Sequence, residues 1–223
     1  MDALSHIHLQ LALECIGLDS DGLLIRIPGP DPDEIGRIKG YRHAGGYTTY
    51  CRQDLPASLL EQVRTLGSEA VFHDREAVKG ILALDTPSSQ VEEYHTYVFP
   101  ESAVLPSYPD VVRLGTHHAE LIQAYHEGMD VVGRAVFAVI REGKIVSTCV
   151  SARENDSAGE CGVFTLSEYR RRGYGRQVAA TWGAHLGDLG KVAFYSHTEE
   201  NLASRRVAKS LGVRPSFRLV NYA

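Results

Sequence analysis

One stretch of the 223-residue chain constrains its fold more than any other. Residues 160–180 begin as a predicted strand and end as a predicted helix, and three consecutive arginines and two closely spaced glycines lie between them. A helix start leaves backbone N–H groups without partners and carries the positive end of the helix macrodipole. Gly173 and Gly175 allow close approach of the backbone, so the stretch favours a pyrophosphate site. A solvated basic loop, in which the glycines only turn the chain, is the alternative.

The segment after this loop is predicted to be a helix with one buried face. Its apolar residues recur at helical spacing at Val178, Trp182, Leu186 and Leu189. A helix that packs through this face would hold the glycine loop at its N-terminus.

Charge and cysteine spacing narrow the class of protein. The formal net charge is −5 and the isoelectric point is near 6.1, whereas nucleic-acid binders usually carry a basic surplus, so we expect no nucleic-acid partner. The four cysteines have no C-x-x-C spacing that would indicate zinc or a disulfide framework. They are Cys15, Cys51, Cys149 and Cys161. We expect them to be reduced and mostly buried.

The N-terminal residues do not resemble a targeting segment. Residues 1–17 lack a basic start, and their apolar residues fit an amphipathic helix better than a signal peptide. No apolar run reaches membrane-spanning length. We therefore expect a soluble cytoplasmic protein with no membrane partner, and a homodimer is left open. Five histidines are scattered through the first hundred residues, at His6, His8, His43, His73 and His95. They predict no metal site.

The first half of the chain is predicted to be a small α/β subdomain whose role the sequence does not reveal. Strands are expected at 22–27, 70–72 and 94–99, a turn followed by a strand at 41–52, and helices at 54–66 and 75–84. Asp54 is the expected N-cap of the first of these helices. Residues 100–109 contain three prolines and are predicted to be a linker. This gives two predicted domains, 1–108 and 109–223.

The second half has a sharper pattern. Predicted strands occupy 111–114, 134–140, 145–151, 160–166, 192–195 and 217–220. Helices capped by Thr116 and Thr198, together with the helix after the glycine loop, complete the order β-α-β-β-β-α-β-α-β. Glu142, Gly143 and Lys144 form the expected hairpin turn. Hairpins followed by a β-α-β unit predict a mixed α/β sheet with helices packed against it.

Two motifs at the right separation resemble the GCN5-related N-acetyltransferase (GNAT) superfamily. Arg170, Gly173 and Gly175, in R-x-x-G-x-G spacing after a strand, resemble that family's pyrophosphate loop. Residues 201–213 resemble its closing helix, which ends here in Leu211-Gly212-Val213. The strand from Glu160 also resembles the family's fourth strand. The resemblance covers about residues 109–223 and implies a GNAT-like acyl-CoA N-acyltransferase fold.

The resemblance further implies acetyl-CoA bound across a splayed sheet. The pantetheine arm would pair with the strand backbone like an added strand, at Val163, Phe164 and Thr165. The pyrophosphate would lie on the loop formed by Arg170, Arg171, Arg172, Gly173, Tyr174, Gly175 and Arg176. Asn201 and Ser204, three residues apart, would face the cofactor arm from the next helix. A capping amide is the alternative for Asn201.

Acetyl transfer to an amine requires a neutral amine. Holding a lysine-like amine neutral near pH 7 costs about 4–5 kcal/mol, which a general base or a desolvating site must offset. Glu160 is the predicted base, because it opens the strand near the expected thioester. A strand-end carboxylate without a catalytic role is the alternative.

The chain departs from the family at the proton donor. Many relatives carry a tyrosine seven residues after the asparagine, and Ala208 occupies that position here. Tyr195 or His197 is the predicted substitute, although His197 is alternatively an ordinary loop histidine. A coenzyme A thiolate with a pKa of ~8.5 also leaves without an acid.

These features predict an acetyl-CoA-dependent N-acetyltransferase for the primary amine of a small molecule or peptide. A non-catalytic acyl-CoA-binding or sensing module is the alternative. A dinucleotide-dependent oxidoreductase is disfavoured, since the loop lacks a third glycine and follows antiparallel hairpins.

Overall fold

A computed structural model describes residues 1–28, 35–83, 90–100, 108–125 and 134–223. They divide into two units. Unit 1 contains Met1–Thr96, His197–Asn201 and Pro215–Ala223, and unit 2 contains Tyr97–Ser196 and Leu202–Arg214. The units are therefore interleaved along the chain. The predicted domain division after residue 108 stays a prediction, since most of the expected linker, residues 101–107, lies outside the described residues.

The first 98 residues supply four helices and five strands within the described ranges. They are α1 (Ala3–Leu13), β1 (Ile16–Leu18), β2 (Leu24–Arg26), β3 (Ile38–His43), β4 (Gly46–Cys51), α2 (Ala57–Leu66), α3 (Ser68–His73), α4 (Arg75–Ala83) and β5 (Val91–Val98). The remaining elements are β6 (Val111–Arg113), α5 (Ala119–Tyr125), β7 (Val136–Arg141), β8 (Lys144–Glu154), β9 (Ala158–Thr165), α6 (Tyr174–Asp188), β10 (Val192–Thr198), α7 (Leu202–Leu211) and β11 (Arg214–Tyr222). None of the described helices is long and apolar enough to cross a membrane.

Unit 1 is built on strands in the order β4-β3-β11-β5. β11 alternates its buried side chains between two apolar clusters, as strand geometry requires. Phe217 and Leu219 join the cluster of α1, and Val220 and Tyr222 join the cluster of α2, α3 and α4. The sheet thus carries α1 on one face and the other three helices on the opposite face. β11 belongs to unit 1 because it pairs with β3 over Phe217–Tyr222.

Two expectations for unit 1 are wrong. Residues 70–72, predicted as a strand, lie in α3, where Val71 and Phe72 are buried. A three-residue apolar run is too short for its periodicity to separate helix from strand. Asp54 is not an N-cap, because α2 begins after Pro56 without a side-chain cap. The Asp54 carboxylate instead accepts a hydrogen bond from Arg52 Nε at 2.6 Å.

Unit 2 contains a mixed sheet in the order β10-β9-β8-β7-β6, with β9 and β10 parallel and the other pairs antiparallel. α6 packs on one face through Val178, Trp182 and Leu186. α5 covers the other face through Ile122. The predicted order of elements and the mixed α/β fold are confirmed.

Local signals succeed at one turn of unit 2 and fail at two helix starts. Glu142 and Gly143 both have positive φ, 52° and 72°, as the predicted hairpin turn requires. Thr116 lies inside a short 3₁₀ helix rather than capping α5. Thr198 ends β10, and α7 begins only at Leu202. Both predictions of a threonine N-cap are wrong.

Candidate functional site

The sheet of unit 2 opens where β9 and β10 separate. The two strands pair in parallel from Val192 opposite Ala158 to Phe194 opposite Glu160, and their pairing ends there. Among the described residues, β9 continues to Thr165 paired only with β8, on its other side. The backbone from Cys161 to Thr165 therefore presents an open strand edge, which an extended amide-bearing ligand can join by hydrogen bonds. Val163, Phe164 and Thr165 all lie on this edge.

The glycine loop follows β9 and begins α6. Arg171 and Gly173 have left-handed backbone conformations, with φ of 61° and 83°. Left-handed residues next to a helix start turn successive N–H groups toward one point, which is the geometry of an anion nest. Gly173 occupies the N-cap position of α6 and has no side chain to cap the first turn. The N–H groups of this turn are thus suited to an external anion.

The loop arginines are exposed, and two of them are oriented by neighbouring groups. Arg170 Nε donates to the carbonyl oxygen of Thr165 at 3.1 Å, so it is tied to the end of β9. The guanidinium of Arg172 lies 5.2 Å from the ring centre of Tyr169, a cation–π distance. Arg171 and Arg176 are exposed as well. Their charges surround the start of α6.

Gly175 lies close to β9. A Cβ added at Gly175 would lie 3.4 Å from Thr165 Oγ1 and 3.5 Å from Val163 Cγ1, which are ordinary van der Waals distances. A small side chain fits at this position, whereas a longer one would project beside the open strand edge. Tyr174, the first residue of α6, stacks with the guanidinium of Arg141 at 5.2 Å.

Glu160 lies at the point where β9 and β10 separate, and its carboxylate is paired. Arg153 on β8 donates to Glu160 Oε2 at 2.6 Å, and the Glu160 side chain is 9% exposed. The Glu160 carboxylate is therefore held in place by an ion pair with Arg153. Arg153 escaped the sequence prediction, since nothing local marks the residue that faces Glu160 across the β8–β9 pair.

Tyr195 follows the last paired residue of β10 and is buried. Its hydroxyl lies 2.7 Å from Ser204 Oγ and donates more weakly to the Ser204 carbonyl at 3.4 Å. Burial raises the pKa of the Tyr195 hydroxyl well above its usual value, while the hydrogen bond with Ser204 lowers it. The phenol is therefore protonated at neutral pH. The structure brings two of the predicted site residues, Tyr195 and Ser204, into direct contact.

His197 and Asn201 belong to unit 1, whereas two other predicted site residues, Tyr195 and Ser204, belong to unit 2. Asn201 is exposed and directly precedes α7, and its N–H donates to the Thr198 carbonyl at 3.0 Å. His197 is buried, and its ring stacks on His95 of β5, with the ring centres 5.3 Å apart and the planes 6° apart.

An acid–base cluster surrounds this histidine pair. Glu93 and His95 of β5 lie near Glu199, and their ligand atoms are all within 4.8 Å of one another. Such a set can in principle hold a cation, but both oxygens of Glu93 already accept from arginines, Arg75 and Arg218. The prediction of no metal site remains a prediction. Sequence reasoning missed this cluster, although alternation of Glu93 and His95 along a strand is a usable signal.

A family model supports the resemblance to the GNAT superfamily. Residues 133–222, less than half of the chain, match the family model of the GNAT acetyltransferases. The match supports GNAT superfamily membership for this part of the chain, and it supports acetyl transfer as the general activity. The superfamily prediction made from the glycine loop and the closing helix is confirmed.

Solved structures agree on the fold. A GNAT-family acetyltransferase from Colwellia psychrerythraea is 12% identical over 93% of this chain and 79% of its own, with a TM-score of 0.51. A GCN5-related N-acetyltransferase-like protein from Streptococcus suis 89/1591 is 13% identical over 93% and 88% of the two chains, also with a TM-score of 0.51. At such identities the likeness shows the fold alone. Comparison with curated proteins gave no match.

Proposed function

We propose that the protein is an acetyl-CoA-dependent N-acetyltransferase, in which the primary amine of a small molecule or peptide attacks the thioester directly in a ternary complex. One observation carries the proposal: the β9 edge opens immediately after Glu160 and leads to the left-handed loop that starts α6. A cofactor with amides at one end and a pyrophosphate at the other matches this arrangement, because the amides can pair with the strand edge and the pyrophosphate can bind the N–H groups at the helix start.

In this proposal the amides of the pantetheine arm pair with Val163, Phe164 and Thr165. The pyrophosphate accepts hydrogen bonds from the N–H groups between Arg171 and Arg176, and the loop arginines add charge-assisted contacts. Asn201 and Ser204 act from the segment that begins α7. Ser204 also holds the Tyr195 hydroxyl, which supports a role for Tyr195 near the cofactor.

Glu160 is the residue proposed to take the proton of the acceptor amine. It lies where β9 and β10 separate, and its Oε2 accepts a hydrogen bond from Arg153 at 2.6 Å. A strand-end carboxylate held in this ion pair, without a catalytic role, is the alternative. His197 stays, with Tyr195, a proposed substitute for the proton donor; its Nδ1 lies 2.8 Å from the Thr198 carbonyl oxygen, which only accepts, so Nδ1 carries the hydrogen in the neutral ring.

The departing thiolate has a nearby proton donor in Tyr195. Because burial raises the pKa of the phenol, full proton transfer from Tyr195 to a thiolate whose thiol has a pKa of ~8.5 is uphill, and Tyr195 acts by donating a hydrogen bond to the developing thiolate. Ala208 is buried in the apolar core of unit 2 and offers no hydroxyl.

The cofactor assignment is tested by Gly175→Asp. The added Cβ fits, so the variant should fold, while its carboxylate repels the pyrophosphate at the helix start. Calorimetric titration with coenzyme A should show a loss of at least about tenfold in affinity. Gly187→Asp is the matched control, because Gly187 is exposed near the other end of α6 with open space around its Cα. Equal affinities in both variants would refute the assignment.

Catalysis is tested by thiol release from acetyl-CoA with a panel of amines. Turnover with one class of amine supports the enzyme. Tight coenzyme A binding without turnover for any amine would instead favour a non-catalytic acyl-CoA-binding module.

The base assignment is tested with Glu160→Gln and His197→Gln. Loss of a general base should lower kcat by about 100-fold or more, with little change in coenzyme A affinity. We expect this loss for Glu160→Gln and a smaller one for His197→Gln. The reverse order would refute the assignment to Glu160.

A further inference from the structure

The open strand edge of unit 2 carries an exposed aromatic side chain. Phe164 lies on β9, four residues after Glu160, and it is 52% exposed. Single apolar residues are common on protein surfaces and need no explanation by themselves. The surroundings of Phe164 therefore decide whether the ring has a role.

Phe164 and Glu160 project from the same face of the sheet. Cys161 and Val163 belong to the apolar cluster that contains the buried face of α6. Side chains alternate along a strand, so Glu160, Gly162 and Phe164 point to the opposite face, on which α5 packs. An acceptor whose amine meets Glu160 thus lies on the face that carries the Phe164 ring.

The Phe164 ring is paired with a second aromatic ring on this face. The ring centres of Phe164 and Tyr125, the last residue of α5, are 6.0 Å apart, and their planes meet at 70°. This is an edge-to-face contact of the kind that aromatic side chains favour. The Tyr125 hydroxyl lies 3.1 Å from Oγ1 of Thr148, which is buried and pairs with Phe164 across β8 and β9. The two rings, called here the Phe164–Tyr125 pair, therefore have a defined orientation.

Gly162 separates the two ends of this face. Because it is a glycine, β9 itself places no side chain between Glu160 and Phe164 there. A Cβ at Gly162 would lie 3.6 Å from Ala152 Cβ and from Val150 Cγ1, which are ordinary contact distances, so packing does not require glycine at this position. Four residues of a strand span ~13 Å. A ligand that reaches from one end of the face to the other therefore needs an extended chain.

The polar end of the face carries little net charge. Arg153 pairs with Glu160 across β8 and β9 and so projects from the same face, with its guanidinium 2.6 Å from Glu160 Oε2. Opposite charges at this separation largely cancel at longer range, so the ion pair attracts a polycation weakly. The apolar part of an acceptor then has to supply much of the affinity, and the Phe164–Tyr125 pair is suited to that.

We propose that the Phe164–Tyr125 pair binds the aromatic group of the acceptor, so that the substrate class is a small primary amine with one aromatic group at the far end of an extended chain. The inference rests on the function proposed above and names its substrate class. The amine lies at Glu160, the chain passes over Gly162, and the aromatic group packs on the exposed ring. Removal of both aromatic surfaces from water stabilises this complex.

A series of amines tests the substrate class. The series contains phenylalkylamines with chains of roughly two to six methylenes, chosen for the ~13 Å span, and alkylamines of the same lengths without the ring. At the best chain length, kcat/KM should be at least about tenfold higher with the phenyl group than without it. Turnover without a preference for the ring at any length would overturn the proposal and leave the proposed function standing. A preference for the polycation spermidine over every phenylalkylamine would also overturn it.

Variants of the aromatic pair locate the preference. Phe164→Ala and Tyr125→Ala should each lower the ratio of kcat/KM for the phenylalkylamine to that for the alkylamine by at least about fivefold. The ratio is measured because the Phe164 backbone is proposed to pair with the cofactor, and a loss common to both amines cancels. Tyr125→Phe keeps the ring and should keep most of the preference. Leu189→Ala is the matched control, since Leu189 is 53% exposed and follows α6. An unchanged ratio in both alanine variants of the pair would overturn the proposal.

Fluorine-19 NMR gives a readout that does not need turnover. The signal of a fluorophenylalkylamine should broaden on addition of protein saturated with coenzyme A, and the broadening should disappear with Phe164→Ala. If no amine is turned over but this difference is seen, the proposed function fails and the aromatic site stands. Equal broadening with both proteins would overturn the site.

Analytical ultracentrifugation tests a second copy of the chain as the occupant. A dimer that dissociates in Phe164→Ala, together with an unchanged amine ratio, would assign the Phe164–Tyr125 pair to self-association and overturn its role in acceptor binding. An oligomeric state that is the same in both proteins, together with a lowered ratio, supports the acceptor site.

Discussion

The hydroxyl of Tyr195 lies 2.7 Å from Ser204 Oγ, one helical turn before Ala208 on the same face of α7. Tyr195 and Ala208 belong to one apolar cluster. A phenol therefore reaches α7 from the neighbouring strand in a chain whose helix has alanine where many relatives carry tyrosine. The Tyr195–Ser204 contact thus connects the predicted substitute proton donor with the helix that lacks the usual tyrosine.

Removal of this hydroxyl should affect rate more than folding. We expect Tyr195→Phe to destabilise the protein by about 1 kcal/mol, the usual net value of a hydrogen bond. If Tyr195 stabilises the thiolate, kcat should fall about tenfold while coenzyme A affinity stays unchanged. Ser204→Ala removes the same bond but keeps the phenol, so it controls for stability. Full activity in Tyr195→Phe would show that the hydroxyl is only structural.

The backbone of Arg171 gives a prediction with two opposite readouts. Arg171 has a left-handed φ of 61°, which costs a non-glycine residue more than glycine. Arg171→Gly should therefore raise the unfolding free energy by about 0.5–1 kcal/mol, yet weaken coenzyme A binding about tenfold by loss of charge. Denaturant unfolding and calorimetry measure the two effects.

The control is Glu142→Gly, in the hairpin turn with a φ of 52°. It should show the same gain in stability without a change in coenzyme A affinity. A similar loss of affinity in both variants would exclude a specific role for Arg171.

Two glycines one turn apart on α6 should respond oppositely to alanine. A Cβ at Gly183 would lie 2.5 Å from the ring of Phe99, which is buried, so Gly183→Ala should destabilise the protein by about 1–3 kcal/mol. Gly187 has open space around it, and Gly187→Ala should stabilise the helix by about 0.5–1 kcal/mol. Thermal unfolding of both variants tests the packing of α6. Equal effects would mean that Phe99 does not contact this helix.

Stability should fall as the pH drops below about 6.5. Burial lowers the pKa of His95 and of His185 relative to the ordinary histidine value of about 6.5. The unfolded chain then binds more protons than the folded protein in this range, so the unfolding free energy decreases with decreasing pH. Urea denaturation between about pH 8 and pH 5.5 should show the loss, and His185→Gln should reduce it. A rise in stability over this interval would contradict both shifts.

Patterns that depend on neighbouring residues could be predicted from the sequence. The hairpin at Glu142 and Gly143 and the helix after Gly173 follow from turn chemistry and from apolar spacing within a few residues. Both signals are local, because the backbone conformations they require are limited by φ and by helical periodicity. The superfamily also followed, since its motifs lie within contiguous segments.

Features that depend on residues far apart in the chain could not be predicted. Arg153 faces Glu160 only because β8 and β9 pair in one register, and that pairing gives the predicted base an ion-pair partner. Val71 and Phe72 lie in a helix because they pack into the apolar cluster of α2, α3 and α4, and a short apolar run does not itself decide between helix and strand.

By itself, then, the sequence determined the order of elements in the second half, the glycine loop at the start of a helix and the superfamily, because each is encoded within a continuous segment. Only the tertiary structure decided that β9 separates from β10 at Glu160, that Tyr195 meets Ser204, and that His95 stacks on His197. The physical reason is strand pairing: it brings together side chains whose separation along the chain carries no local signal.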